Sequence, residues 1–134
     1  MHVTRKVAHW IEELTQSLDK RNRRTLVQLV LSASKGRTLS VSRLGRHLVS
    51  TALPKHAIKR VDRWLSNRAV QRSVDAVYAE LTAKLIRPGS RPVMVVDWTE
   101  SGPKHYALVA AVAVGGRALT IRCEVYARHY VNNR

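Results

Sequence analysis

The stretch RPGSRPVMVVDWTE, residues 87–100, lies where the pattern of apolar residues in this sequence changes. Two prolines and a glycine stop a helix and predict a short linker over residues 88–92. The next four residues are apolar and largely β-branched, which predicts a strand buried on both faces that ends at Asp97. The predicted fold class is therefore α+β, with an all-helical region over 1–87 and strands over 93–134.

Apolar residues before the linker recur with the helical period and predict about five helices. The second of them, Leu26 to Gly36, is apolar around most of its circumference, which predicts a central helix buried on several sides. The fourth is opened by a proline, a residue that is favoured at the first helical position. In chain order, the predicted caps or first helical residues are Thr4, Leu26, Ser40, Pro54 and Arg68.

Residues after the linker predict three strands joined as hairpins. The apolar run Tyr106 to Val114 forms the second strand, and Gly115-Gly116 follows it. Two glycines in this position favour a two-residue turn, because both residues need a positive φ. Apolar and polar residues then alternate over 119–125, so the third strand is expected to have one solvent-facing side.

The charge of the chain is the strongest compositional signal for function. Lys and Arg total 24 against 9 Asp and Glu, which gives a formal net charge of +15 over 134 residues. Residues 1–92 carry +13 of this charge and residues 93–134 only +2. Such an excess of positive charge favours a polyanionic partner, with nucleic acid ahead of an anionic membrane.

Membrane insertion and export are not predicted. The longest apolar run, Ala107 to Val114, has eight residues, whereas a membrane-spanning helix needs about twenty. The first residues lack the apolar block of a signal peptide, and a single cysteine, Cys123, excludes an internal disulfide. A cytoplasmic protein with no membrane partner is therefore expected.

The helix predicted over residues 55–66 has one apolar and one cationic side at 100° per residue. A short helix and a turn precede it, which is the layout of a helix-turn-helix whose second helix lies in the major groove of DNA. The other interpretation is an ordinary solvated surface helix. The candidate DNA-binding residues on its cationic side are Lys55, His56, Lys59, Arg60 and Arg63.

A second basic cluster lies between the first two predicted helices. It consists of Lys20, Arg21, Arg23 and Arg24. These side chains either bind phosphates or belong to an ordinary solvated loop, and the residue pattern does not separate the two interpretations.

Asp97 is the candidate catalytic and metal-binding residue. A carboxylate at the end of a strand is held rigidly at the edge of a sheet, where it can reach a hard cation such as Mg²⁺. Asp is also common as a simple turn residue after a strand. Its position alone does not separate these roles.

Two sequence blocks resemble a known family. The string Val95-Val96-Asp97-Trp98-Thr99-Glu100 resembles the first catalytic block of bacterial insertion-sequence transposases of the DDE superfamily, in the branch with an RNase H-like catalytic core. The stretch Lys59 to Asn67 resembles a block of that family's N-terminal DNA-binding region. The order of parts, a basic helical region and then a strand ending in Asp, is also similar.

The resemblance implies DNA transposition by phosphoryl transfer, with three acidic residues that hold two Mg²⁺ or Mn²⁺ ions. Asp97 matches the first of the three. Glu100, expected in a turn, and Glu124, expected on the solvent-facing side of the third strand, do not match the others. The expectation is thus a truncated N-terminal part. It comprises a DNA-binding region over 1–87 and the first three strands of an incomplete RNase H-like α/β domain over 93–134.

The resemblance implies partners as well. Double-stranded DNA at transposon ends comes first, followed by a homodimer or association with the full-length transposase. Such a chain would bind DNA without cutting it by itself. The alternative is a non-catalytic helix-turn-helix protein that occupies transposon ends or modulates the full enzyme. An RNA-binding or ribosome-associated protein is a third hypothesis, and it rests on charge alone.

Overall fold

The computed structural model describes the backbone of residues 2–131 and the side chains of residues 4–129. Helices come first in the chain and a three-stranded sheet follows, so the predicted α+β class is confirmed. The chain folds as two compact units that meet between Val77 and Tyr78 in sequence, here called the helical unit and the sheet unit. The elements are α1 (His2–Leu14), α2 (Lys20–Gly36), α3 (Val41–His47), α4 (Pro54–Leu65), α5 (Arg68–Arg72), α6 (Val74–Leu85), β1 (Met94–Glu100), β2 (His105–Val114), β3 (Arg117–Ala127) and α7 (Arg128–Val131).

Two predicted helix starts are wrong. Thr4 lies inside α1 and does not cap it. Helix α2 begins at Lys20 and not at Leu26, because Asp19 caps it: the Asp19 carboxylate accepts hydrogen bonds from the backbone N–H groups of Arg21 and Asn22 at 2.9 and 3.0 Å. The basic cluster that follows Asp19 is therefore the first turn of a helix, and its interpretation as a loop is wrong.

Helices α2, α3 and α4 enclose the core of the helical unit. Apolar side chains from all three pack together, and Val61 of α4 is completely buried. Such contacts stabilise the unit because they remove apolar surface from water. The buried members of this core are Leu29, Leu44, Leu48, Ala57 and Val61.

Helices α3 and α4 approach each other unusually closely. A Cβ atom on Gly45 would lie 2.5 Å from the Cα of Ile58, so only glycine fits at this crossing. The hydroxyl of Ser32 in α2 donates to the carbonyl of Leu44 at 2.8 Å, which ties α2 to the same crossing. Pro54 is the first residue of α4, as predicted.

The single helix predicted over residues 68–86 is divided in the structure. It forms α5 and α6, which are separated at Ser73. The hydroxyl of Ser73 donates to the carbonyl of Ala69 at 3.0 Å, and its N–H bonds to the carbonyl of Val70, only three residues earlier. Serine back-bonding of this kind bends helices, which explains the division.

The sheet unit contains an antiparallel meander with strand order β1-β2-β3. Gly115 and Gly116 join β2 to β3 with φ angles of 57° and 74°, which confirms the predicted glycine hairpin. Burial raises the pKa of Tyr78 in α6, and an electrostatic contribution from Cys123 in β3 acts in the same direction.

Strand β1 differs from the prediction in length and in burial. It continues to Glu100, so Asp97 lies in the middle of the strand opposite Val109 and not at its end. All seven of its residues are exposed, so the prediction of a strand buried on both faces is wrong. The reason is its position: β2 is its only strand partner in the described sheet, and an apolar run does not distinguish a central strand from an edge strand.

Candidate nucleic-acid interface and carboxylate site

Helix α4 presents a cationic face to solvent, as the sequence predicts. Ala57 and Val61 point into the three-helix core and fix the rotation of the helix about its axis. The opposite face therefore points away from the core of the helical unit. It carries the exposed side chains of Lys55, His56, Lys59 and Arg63.

Arg60, the fifth predicted DNA-binding residue of α4, lies at the side of this face. Its Nη2 donates to Oε1 of Gln28 at 2.8 Å and to the hydroxyl of Thr25 at 3.3 Å. Both acceptors belong to α2. The Arg60 side chain is therefore engaged in holding α4 against α2.

The basic first turn of α2 also contains both exposed cations and one cation that is hydrogen-bonded within the protein. Arg21 and Arg24 are exposed, as is Lys20. Arg23 is partly buried, and its Nη2 donates to the carbonyl of Leu18 at 3.0 Å and to that of Gln16 at 3.4 Å. Arg23 thus stabilises the turn between α1 and α2.

The structure brings the two predicted basic clusters together. A groove of about 710 Å³ lies between the first turn of α2 and the side of α4. Both helices contribute guanidinium groups to its walls, although the clusters are more than thirty residues apart in sequence. The polar side chains that line this groove, called the α2–α4 groove below, include Asp19, Arg21, Asn22, His56, Arg60, Arg63 and Asn67.

Three further residues that build this groove, Asn22, Trp64 and Asn67, were not among the candidates from the sequence. The indole N–H of Trp64 donates to the carbonyl of Asn22 at 3.1 Å, and the Asn67 amide approaches the Asn22 side-chain oxygen at 3.5 Å. These contacts fix the first turn of α2 against the end of α4. One signal for them was available, because Asp19 precedes a long helical pattern and is a favoured N-cap residue.

Asp97 lies on a largely apolar face of the sheet. Residues opposite each other in an antiparallel pair share a face, so Asp97 shares one with Val109 and then Cys123. Its Oδ1 accepts a hydrogen bond from the backbone N–H of Trp98 at 2.8 Å. Side chains alternate between the faces, so Glu100 and Glu124 lie on the other side.

The opposite face carries a network around Glu124. The hydroxyl of Tyr126 and the guanidinium of Arg122 both donate to the Glu124 carboxylate. The Tyr126 hydrogen bond, with help from Arg122, holds the pKa of Glu124 below its usual value, and the same bond raises the pKa of Tyr126. The ring of Trp98 packs edge-on against Tyr126 with centroids 5.5 Å apart.

The carboxylates in the sheet do not fit a metal site by themselves. Over the residues that the structure describes, no group of three or more His, Cys, Asp and Glu side chains is placed to hold a metal ion. Glu100 is the last residue of β1 and Glu124 lies within β3, both facing away from Asp97. Asp97 is thus the single carboxylate that these strands offer on its face, and two hard cations need several oxygen ligands.

Comparison with known proteins adds no assignment to this geometry. No family model, curated protein or solved structure matches the chain. Among the described helices, none has the length and apolar character needed to cross a membrane.

Proposed function

We propose that the helical unit binds double-stranded DNA through α4. The observation that carries this proposal is the convergence of two cationic clusters on one side of a three-helix core. Residues 1–77 hold a net charge of +11 of the chain's +15. A localised positive surface of this kind attracts the phosphate backbone and supplies most of the affinity of a DNA-binding protein.

The packing of α3 and α4 supports a helix-turn-helix interpretation. Gly45 lets the two helices cross closely, and the turn between them covers residues 48–53. This turn is longer than the usual three or four residues of the motif. The exposed side chains of α4 project from the motif as those of a recognition helix do, so that Lys55 and Lys59 reach the major groove.

We further propose that this region belongs to a DDE-type insertion-sequence transposase that acts on transposon ends in the bacterial cytoplasm. The support is the block around Asp97 together with a strand order, β1-β2-β3, that agrees with the expected start of an RNase H-like sheet. In the complete family enzyme Mg²⁺ or Mn²⁺ supports strand cleavage. The residues present here offer Asp97 alone, so the proposed activity of this region by itself is DNA binding without cleavage.

A non-catalytic helix-turn-helix protein is the second candidate function. The observation that favours it is the placement of Glu100 and Glu124 on the sheet face opposite Asp97. Such a protein would occupy transposon ends, as a homodimer or together with the full transposase. Both candidates require duplex DNA binding by the same helix.

The test is a fluorescence-anisotropy titration of the full chain with a labelled DNA duplex over a range of salt concentrations. The logarithm of affinity is expected to fall with the logarithm of salt, by a slope of about 0.9 for each phosphate contact. The double variant Lys55→Ala/Lys59→Ala should bind more weakly and with a smaller slope.

The matched control removes two exposed cations from the sheet unit. Lys104→Ala/Arg117→Ala changes the net charge by the same amount and should leave the slope almost unchanged. Equal losses in the two double variants would show that only net charge matters, and the role of α4 would be wrong. Preference for structured RNA over the duplex would favour the third hypothesis instead.

A further inference from the structure

We infer that the α2–α4 groove is a clamp for a single phosphate of the DNA backbone, gripped jointly by Arg21 of α2 and Arg63 of α4. This inference rests on the proposed DNA binding of the helical unit and adds a division of labour within it. The outward residues Lys55 and Lys59 face the major groove of the DNA, whereas Arg21 and Arg63 bind a phosphate of the DNA strand that borders it.

The hydrogen bonds of the arginines around the groove decide which of them are available. Arg23 donates to carbonyl groups of the α1–α2 turn, and Arg60 donates to Gln28 and Thr25. Arg21 and Arg63 both line the groove, both are exposed, and neither guanidinium donates a hydrogen bond to another residue of the described chain. Two guanidinium groups that line one cavity from different helices are suited to an anion with several oxygens, because each presents a fixed set of N–H donors.

The groove is large enough to admit a backbone phosphate. It holds about 710 Å³, within the range of clefts that take a drug-sized ligand. A recognition helix lies in a major groove about 12 Å wide, so the phosphate strand that borders the groove runs along the side of the helix. On this side of α4 stands the first turn of α2, which brings Arg21 to the strand.

One acidic residue, Asp19, also lines the groove, and its carboxylate interacts electrostatically with Arg21. The Asp19 carboxylate accepts hydrogen bonds from the backbone N–H groups of Arg21 and Asn22 and from the Asn22 side chain. Hydrogen bonds, chiefly from Asn22, hold its pKa below the usual value, so Asp19 stays ionised. The cap fixes the backbone at Arg21, and the two arginines together outweigh its single negative charge.

The shared phosphate predicts a specific energetic coupling. If both arginines grip one phosphate, loss of either side chain weakens the clamp, and loss of the second then has little left to remove. The full chain would be titrated with a labelled duplex as wild type, Arg21→Ala, Arg63→Ala and the double variant. Each single variant is expected to bind about tenfold more weakly, since hydrogen bonds to charged groups are worth roughly this much.

The double variant should bind clearly less than a hundredfold more weakly than wild type. Arg24 supplies the matched control, because it lies in the same first turn of α2, is also exposed and is not among the residues that line the groove. The effects of Arg24→Ala and Arg63→Ala should simply multiply. Gln variants of both arginines repeat the cycle with longer side chains, and thermal melting confirms that each variant is folded.

The possible results separate this inference from the proposed function. Multiplicative effects of Arg21→Ala and Arg63→Ala, or no effect of either one on duplex binding, would overturn the clamp while DNA binding through α4 stands. Coupling of Arg24 and Arg63 as strong as that of Arg21 and Arg63 would overturn it as well, because it would show a general charge effect. Failure of the wild-type chain to bind duplex at low salt would overturn the proposed function together with the clamp.

Discussion

Helix α4 in the helical unit and strand β1 in the sheet unit place their apolar residues in opposite ways. Val61 at the centre of the helical unit is 0% exposed, whereas Val96 in β1 is 61% exposed. Helices α2 and α3 cover Ala57 and Val61 of α4, and the cations of α4 remain at the surface. Strand β1 leaves apolar side chains at its surface and has a strand partner on one side only. The comparison indicates a closed core between α2, α3 and α4 and a sheet with an open edge at β1. Open apolar edges favour pairing with another strand.

The hydrogen bonds of β1 show which atoms form that edge. The N–H of Ser101 donates to the carbonyl of His105, and the N–H of Ala113 donates to the carbonyl of Val93. The backbone N–H and C=O groups of the odd-numbered residues in this segment therefore point toward β2. The N–H and C=O groups of the even-numbered residues therefore point outward, away from β2. The Asp97 carboxylate occupies the N–H of Trp98, so it covers one donor of this edge.

The largest expected effect comes from placing the same charge in each unit. Val61→Asp buries a carboxylate without a partner in the three-helix core and should lower the free energy of unfolding by about 3–5 kcal/mol. Val125→Asp puts the same group on a strand residue that is 60% exposed and should change it by less than about 1 kcal/mol. Urea unfolding followed by circular dichroism measures both. Similar losses in the two variants would contradict the contrast between a closed core and an open sheet.

Glycine substitutions should produce the next largest effect, for a different reason in each unit. Gly45→Ala drives a Cβ against the backbone of Ile58 and should cost about 2–3 kcal/mol, since neither helix can move freely. Gly116→Ala meets no atom within 4 Å, but its φ of 74° should cost about 1 kcal/mol.

Substitution of each glycine by Asn, followed by the same unfolding measurement, separates steric overlap at Gly45 from backbone strain at Gly116. Asn tolerates a positive φ, so Gly116→Asn should recover part of the loss, whereas Gly45→Asn should be at least as destabilising as Ala. Recovery at both positions would mean that the close crossing of α3 and α4 is wrong.

The sequence predictions that depend on neighbouring residues were accurate in both units. The period of the apolar residues predicted the α4 face, and the glycine pair predicted the β2–β3 turn, because both depend on neighbours in sequence. The start of α2 was missed because basic residues were interpreted as a loop although Asp19 could cap them. The split at Ser73 depends on a hydrogen bond from its own side chain, which an apolar stripe does not reveal.

The sequence predicted most of the basic residues of the candidate site but not how they are arranged in space. The two basic clusters were visible in the sequence, whereas their meeting in one groove depends on the packing of α2 against α4. The engagement of Arg60 with Gln28 and of Arg23 with Leu18 also requires tertiary structure. The sequence placed Asp97 at the end of a strand, because the apolar run stops there, but pairing with Val109 continues the strand past it.

The adjacent residues Lys59 and Arg60 of α4 are expected to differ in their contributions to stability and to DNA binding. The changes in stability should be smaller than those of the glycine variants. Arg60→Ala should lower the free energy of unfolding by about 1 kcal/mol, because it removes hydrogen bonds to Gln28 and Thr25. Lys59→Ala should leave stability within about 0.5 kcal/mol and weaken duplex binding. Thermal melts and anisotropy titrations of both variants measure the two properties. Unchanged stability in Arg60→Ala would return this residue to the set of direct DNA contacts.

The smallest expected effect on DNA binding is that of Asp97, because it lies in the sheet unit. Asp97→Ala removes the hydrogen bond to the Trp98 N–H and should change stability by less than about 1 kcal/mol, since the site is exposed. Duplex affinity and its salt slope should equal those of wild type. Mn²⁺ titrated into the full chain should bind weakly, because Asp97 alone supplies few oxygen ligands and Glu100 and Glu124 face the other way. Tight Mn²⁺ binding that disappears in Asp97→Ala would show that other carboxylates, from this chain or a second copy, complete the site. In that case the sheet unit, and not the helical unit alone, would carry chemistry.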